Sequence, residues 1–478
     1  MKTRLHAGAV LLAGGLAAML SLTIAGCGGP TLKPWHTEAL DAEFTEDKAD
    51  EVRSFADYLR LEDQLFDQLE RQVYAEMPTG PECALERYSA GSAADPQHRN
   101  PNWNRSFELG TEAPAGAVLL LHGLTDSPYT FRALAKTLNE RGLHVLGLRM
   151  PGHGTAPSGL ASVSWRDMAA AVQIGMQHLA AQMGDKPIHI VGYSTGAPLA
   201  VNYTLDALAT EGNPVPSSLI LVSPAVGLHR AAALAGFKRR LSYVPGMGDL
   251  AWLQVLPEFD PYKYNSFPTN AAEQVHAITR SVSARLATLA RSGSLPDFPP
   301  TLVFKSTVDA TVSTDAVVDN LLARLGPDRN ELVLFDVNRS AVKSILMTED
   351  PGPLTDRVMN DDSLPFAVTL VANENTKSTR VVARHKAAFS SEVSRIQPLG
   401  LDWPRGIISL SHVALPFPPD DPMYGQRPPD NEDLLFLGEM AIQGERGILK
   451  LPDSWLLRLR YTPFYDYMEQ RVLGWLKD

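Results

Sequence analysis

The sequence predicts an α/β chain built on a mostly parallel central sheet with helices on both faces. Short, continuous apolar runs recur at Ala117–Leu121, Val145–Leu148, Ile188–Val191, Leu219–Val222, Leu302–Phe304 and Leu332–Val337. Amphipathic stretches such as Thr130–Arg141 and Trp165–Met183 separate several of them. A strand buried on both faces shows no polar alternation, and a parallel neighbour needs a helical crossover, so this order means βαβ units.

The composition bounds the rest. The chain has 478 residues, 44% hydrophobic and 20% charged, which is ordinary for a globular protein. Its formal net charge is −11. An acidic chain releases no counterions from a phosphate backbone, so nucleic acid is excluded as the default partner. The two cysteines, Cys27 and Cys83, make no disulfide framework and no zinc-ligand cluster. No metal is expected. Cys83 lies among Pro81, Glu82 and Glu86, which would not activate a thiol, and reads as a packed residue.

The first 26 residues read as an address. Lys2 and Arg4 precede an uncharged stretch, Ala7–Gly26, rich in Ala, Leu and Gly. Ile24-Ala25-Gly26-Cys27 resembles the lipobox of bacterial lipoprotein precursors, which makes Cys27 the expected lipidation site. An uncleaved membrane anchor is the competing reading. Both export the chain, which places it in the cell envelope, facing outside the cytoplasm. Gly28 in place of Asp favours the outer membrane in a diderm host.

Residues 27–53 then read as a tether. Residues 54–114 read as an amphipathic helix, with Phe55, Tyr58, Leu59, Leu65, Phe66, Leu69 and Val73 at helical spacing, followed by an irregular Pro/Asn/Ser/Gly-rich segment. The main domain is expected over 115–478. Two long segments interrupt its alternation, a helical cap at 226–298 and a second insertion at 339–406. An apolar strand is expected at Ile407–Leu410.

The chemistry centres on Gly192-Tyr193-Ser194-Thr195-Gly196, between the apolar run Ile188–Val191 and the helix-like Ala197–Leu208. Strand, sharp turn and helix is the context a G-x-S-x-G nucleophile elbow needs. A serine hydroxyl is a weak nucleophile, so it requires a base, and the base requires an orienting acid. The elbow's partners follow in the order Ser, acid, His. Asp309 comes a few residues past the run Leu302–Phe304, where a strand's carboxyl end would hold it. His412 ends Ile407-Ile408-Ser409-Leu410-Ser411 and is the expected base; His385, between Arg384 and Lys386, is the rival. Backbone N–H groups of Leu124 and Thr195 are the expected oxyanion donors. His122 and His153 read as loop organisers.

The segments HGLTDSP, RMPGHGTAP and GYSTG, with Asp309 and His412, resemble the α/β-hydrolase superfamily, particularly its monoacylglycerol lipase and small carboxylesterase branch. The likeness covers roughly 115–312 and 405–478. It implies an α/β-hydrolase fold and a Ser194–His412–Asp309 triad that cleaves small-molecule or lipid esters through an acyl-enzyme, with no metal or organic cofactor. It also implies a cap after the sixth strand, where Trp252, Leu253, Val255, Leu256 and Phe259 could line an acyl pocket. A thioesterase, an amidase or peptidase with the same triad, and a non-catalytic envelope scaffold remain alternatives.

Overall fold

The computed structural model describes residues 31–227, 248–292, 297–326, 329–427, 442–450 and 456–477. The leader, Cys27 and residues 228–247 of the 226–298 segment lie outside them.

Among the described residues two α-helices precede the sheet, α1 (Pro34–Thr37) and α2 (Phe55–Gln72). Helix α2 starts at a capping box, in which Ser54 accepts from the Asp57 N–H and Asp57 accepts from the Ser54 N–H. The sheet then begins with β1 (Phe107–Leu109), β2 (Ala117–Leu121), helix α3 (Arg132–Glu140) and β3 (His144–Leu148). Helices α4 (Pro157–Ser162) and α5 (Trp165–Met183) lead into β4 (Ile188–Tyr193), α6 (Gly196–Ala209) and β5 (Ser218–Val222). A small ribbon, β6 (Trp252–Gln254) and β7 (Phe267–Pro268), precedes α7 (Thr269–Ser292) and β8 (Thr301–Ser306). Next come α8 (Thr314–Asn320), β9 (Asn330–Phe335), α9 (Gly352–Asn360) and strands β10 (Ala367–Asn373), β11 (Arg380–Lys386) and β12 (Val393–Asp402). Strands β13 (Ile442–Gly444) and β14 (Leu456–Arg458) pair with each other, and α10 (Tyr465–Trp475) ends the fold.

Among the described residues the main sheet has ten strands, in the order β1-β3-β2-β4-β5-β8-β9-β10-β11-β12. Pairing is parallel from β3 through to β10 and antiparallel at both margins. Alternate residues serve opposite layers. Ala117, Leu119 and Leu121 join the core on one side of β2, and Val118 and Leu120 the core on the other. All five are essentially inaccessible. Burial of each Leu or Val at such a position contributes about 1.5–3 kcal/mol.

The segment 339–406 is an excursion that enlarges the sheet. It leaves at Asn338, adds β10, β11 and β12, and returns beside its starting point. There the Asn338 N–H donates to Ile408 O at 2.8 Å and its side-chain amide to Ile407 O at 2.9 Å. Ile407–Leu410, expected as a strand, is instead a buried extended segment. Its bonds go to Asn338 and to Gln443, whose carbonyl accepts from Ile408 N at 2.9 Å. It is apolar because it is enclosed, not because it joins the sheet.

The expected cap divides in two. Helix α7 packs along α6, where Arg285 bonds Asn202 and Asp206, and it carries the chain back to β8. It is a layer helix of the main domain. The described residues 248–268 lie over the carboxyl ends of the strands. The aromatic run 261–268 fastens them there: Tyr262 stacks on Tyr129 at 3.9 Å, and the Tyr264 hydroxyl accepts from Thr155 N at 2.8 Å.

From Lys33 on, the expected tether is folded onto the domain. Trp35, Phe44 and Val52 are buried, and His36 bonds Ser266 at 3.0 Å. Its low apolar density hid a different anchor, a buried charge cluster. Arg149, 1% exposed, bonds Glu62 through Nε and both oxygens of Glu43 through its two Nη atoms, each at 3.0 Å. A guanidinium fork suits two carboxylates. Arg149→Met leaves two largely buried acids without their cation and is expected to cost about 3–5 kcal/mol. Urea unfolding measures it; a loss below about 0.5 kcal/mol would contradict this anchoring role.

Candidate active site

The turn after β4 sets the centre of the site. Ser194 has φ of +51°, a left-handed conformation that costs a non-glycine residue energy. The turn is held by Ser194 N donating to Val222 O at 2.9 Å and Ala225 N donating to Ser194 O at 3.1 Å. Gly196 is required by close approach: a Cβ there would sit 2.1 Å from Leu121 O. Leu121 pairs with Gly192 in the sheet, which brings the loop after β2 alongside the serine.

The structure brings Ser194, His412 and Asp309 together. His412 Nε2 is 3.0 Å from Ser194 Oγ, and His412 Nδ1 is 2.8 Å from Asp309 Oδ2. Asp309 Oδ1 accepts from the N–H groups of Thr311 and Val312 at 2.7 and 3.0 Å. Its carboxylate is fully buried. Burial would raise its pKa, but His412 and Lys305 outweigh burial and hold it well below the usual carboxylate range. Leu124 and Thr195 both line the cavity in which Ser194 and His412 lie. His385 is far from this cluster in role: it sits on β11 and bonds Thr369 at 3.0 Å.

Two contacts escaped the sequence reading. Lys305, on β8 and fully buried, donates to Asp309 Oδ2. Burial lowers its pKa and the neighbouring carboxylate opposes that shift. The available signal was a lysine continuing an apolar strand, four residues before the acid. Glu445 accepts from the His412 N–H at 2.8 Å and is itself paired with Arg458 at 3.1 Å. The sequence held no signal for that contact, which joins positions 33 residues apart.

His122 and His153 organise loops as expected. His122 bonds Gly123 O at 2.9 Å and Met150 N at 3.2 Å; His153 bonds Pro151 O at 2.9 Å. Burial holds His36, His153 and His189 down at about 4, and His122 well below its usual value. An unfolded histidine takes up its proton near pH 6.5. Between pH 6.5 and 4 the unfolded chain therefore binds more protons, so stability falls as pH falls through this window. For His153 the slope is up to about 1.4 kcal/mol per pH unit. Thermal unfolding should show Tm dropping steadily from pH 7 to pH 4.5; a flat or rising Tm would contradict neutral buried imidazoles.

A cavity of about 850 Å³ opens over Ser194. Leu253, Leu256, Phe259, Phe267 and Val275 supply apolar lining, so three of the five residues expected at an acyl pocket reach it. Trp252 is buried instead, edge-on to His36 at 4.9 Å.

A parallel sheet, a serine elbow after β4, an acid after β8 and a histidine reached after β9 now stand together. The family model described as serine aminopeptidase, S33, matches residues 112–337. The chain has the α/β-hydrolase fold. The chain is similar to a thermostable monoacylglycerol lipase from Bacillus sp. (strain H-257), 27% identical over 175 residues. That match covers 36% of this chain and 65% of the Bacillus protein. It is also similar to the lysophosphatidylserine lipase ABHD12 of Danio rerio, 28% identical over 159 residues, 33% of this chain and 40% of the fish protein. The chain thus spans less than two thirds of either relative. Among solved structures, the Paleococcus ferrophilus monoacylglycerol lipase aligns with 17% identity and a TM-score of 0.37, over 48% of this chain and 88% of that one.

Proposed function

We propose that this α/β-hydrolase is a serine-dependent carboxylic ester hydrolase acting on lipid or small-molecule esters. The observation that carries the reading is the bonded series Ser194–His412–Asp309, set on a left-handed elbow inside a largely apolar cavity. His412 takes the Ser194 proton as Oγ attacks the ester carbonyl. Asp309 fixes the imidazole and balances the imidazolium. The N–H groups of Leu124 and Thr195 receive the oxyanion, with the positive end of α6 beneath Thr195. His412 then protonates the departing alcohol and activates the water that releases the acid.

Support for an ester comes from the lipase relatives, and support for an acyl chain from Leu253, Leu256 and Phe259. The family description, a serine aminopeptidase, favours a second reading in which the same triad opens an amide. Matched p-nitrophenyl octanoate and aminoacyl p-nitroanilides separate the two. Turnover of the ester with little of the anilides supports the proposal; preference for the anilides overturns it.

We further propose export and attachment to the envelope through a lipid on Cys27, read from the leader sequence. No helix among the described residues is long and apolar enough to cross a membrane. Metabolic labelling with a fatty-acid probe should mark the full chain and not Cys27→Ala; equal labelling of both would refute the anchor.

A further inference from the structure

We infer that the ester substrate bears an anionic group on its alcohol side, received by Arg446, Arg458 and Arg460. The inference rests on the ester-hydrolase reading. Its starting point is a contrast in charge. The whole chain carries −11, yet the cavity over Ser194 is lined by four cations, Lys263, Arg446, Arg458 and Arg460, and by one acid, Asp126.

The partners of these cations are placed so that positive charge faces the cavity. Lys263 pairs with Asp126 at 2.7 Å, Arg458 with Glu445 at 3.1 Å and Arg460 with Asp260 at 3.2 Å. The Glu445 and Asp260 side chains are both 2% exposed, while those of Arg458 and Arg460 are 23% and 46% exposed. The acids sit behind and hold the guanidiniums in place. Arg446 is exposed and makes no ion pair among the described residues. Among the described residues, four cations against three partners leave a surplus positive charge at the cavity. A guanidinium offers a fork of donors to a carboxylate or phosphate.

The side of the substrate follows from the chemistry. His412 must reach the leaving oxygen to protonate it, so the alcohol departs over the imidazole. The arginines belong to the segment that flanks that imidazole: Glu445 holds the His412 N–H, Arg446 is the next residue, and Arg458 pairs with Glu445. Much of the apolar lining, Leu253, Leu256, Phe259, Phe267 and Val275, comes from a different part of the chain and suits the acyl group.

The test uses octanoyl esters of glycerol, glyceric acid and glycerol phosphate, which share acyl chain and carbon skeleton. The full chain should show kcat/KM for at least one anionic ester about tenfold or more above the neutral one, as one charge-assisted contact implies. Added salt should shrink the preference. Arg446→Glu should reduce the preference about tenfold, and Arg446→Lys should retain most of it. Preference for the phosphate alone identifies phosphate as the group; equal preference for both identifies any anion. Ser194-dependent cleavage of all three at equal rates, or an equal effect of Arg446→Glu on all three, overturns the inference and leaves the esterase reading intact. Cleavage of none overturns both.

Discussion

Replacing Ser194 by Ala is expected to lower kcat towards carboxylic esters by about 10⁴-fold or more. The loss should be chemical and not structural. Ser194 Oγ bonds His412 alone among the described residues, whereas the turn is held through the backbone to Val222 and Ala225. Alanine keeps those backbone bonds and the same left-handed φ. Thermal unfolding should therefore change little, and circular dichroism should be unchanged. Ester turnover above a tenth of the wild-type rate would remove Ser194 from the reaction.

The second large effect falls on Asp309. Asp309→Asn is expected to reduce kcat by about 10⁴-fold, since an amide donor presented to Nδ1 selects the wrong imidazole tautomer. The same change strips a buried lysine of its counter-ion. Lys305 is wholly buried against this carboxylate, so breaking the pair should cost about 3–5 kcal/mol as well. The two losses can be separated. Adding Lys305→Met to Asp309→Asn replaces the orphaned cation by an apolar side chain of similar length, and should recover much of the stability while activity stays lost. Urea unfolding and ester kinetics on the single and double variants measure both. A double variant no more stable than Asp309→Asn would show that the Lys305 charge is not what Asp309 neutralises.

The fold was legible where burial on both faces erased polar alternation. Strands β2 to β5, β8 and β9 fall within two residues of the apolar runs, and α5 matches its expected span. Legibility failed at the sheet's margins. Strand β1 has three residues with the acid Glu108 in the middle, and β12 is almost entirely exposed, so neither shows a continuous apolar run. Ile407–Leu410 failed in the opposite sense: it has a strand's composition because it is enclosed, but its backbone bonds go to Asn338 and to Gln443 of the small β13–β14 pair and not to a strand of the main sheet. In the candidate site, Ser194 and Asp309 were legible because each follows a buried strand of the main sheet, and His412 because the order of roles calls for a histidine after the acid, although the segment before it is no strand. Lys305 and Glu445 were not, because their roles depend on contacts that the chain makes only when folded. The N-terminal segment misled for a related reason. Its attachment runs through Glu43 and Arg149, and a pair of opposite charges 106 positions apart leaves no trace in hydrophobic periodicity.

The central claim is that Ser194 is a nucleophile activated by His412. The most direct measurement is reaction of the full chain with a fluorophosphonate, followed by intact mass and peptide mapping. The account predicts one equivalent of adduct, on Ser194, absent from Ser194→Ala and formed far more slowly by His412→Ala. No adduct, an adduct on another residue, or unimpaired labelling of His412→Ala would contradict it.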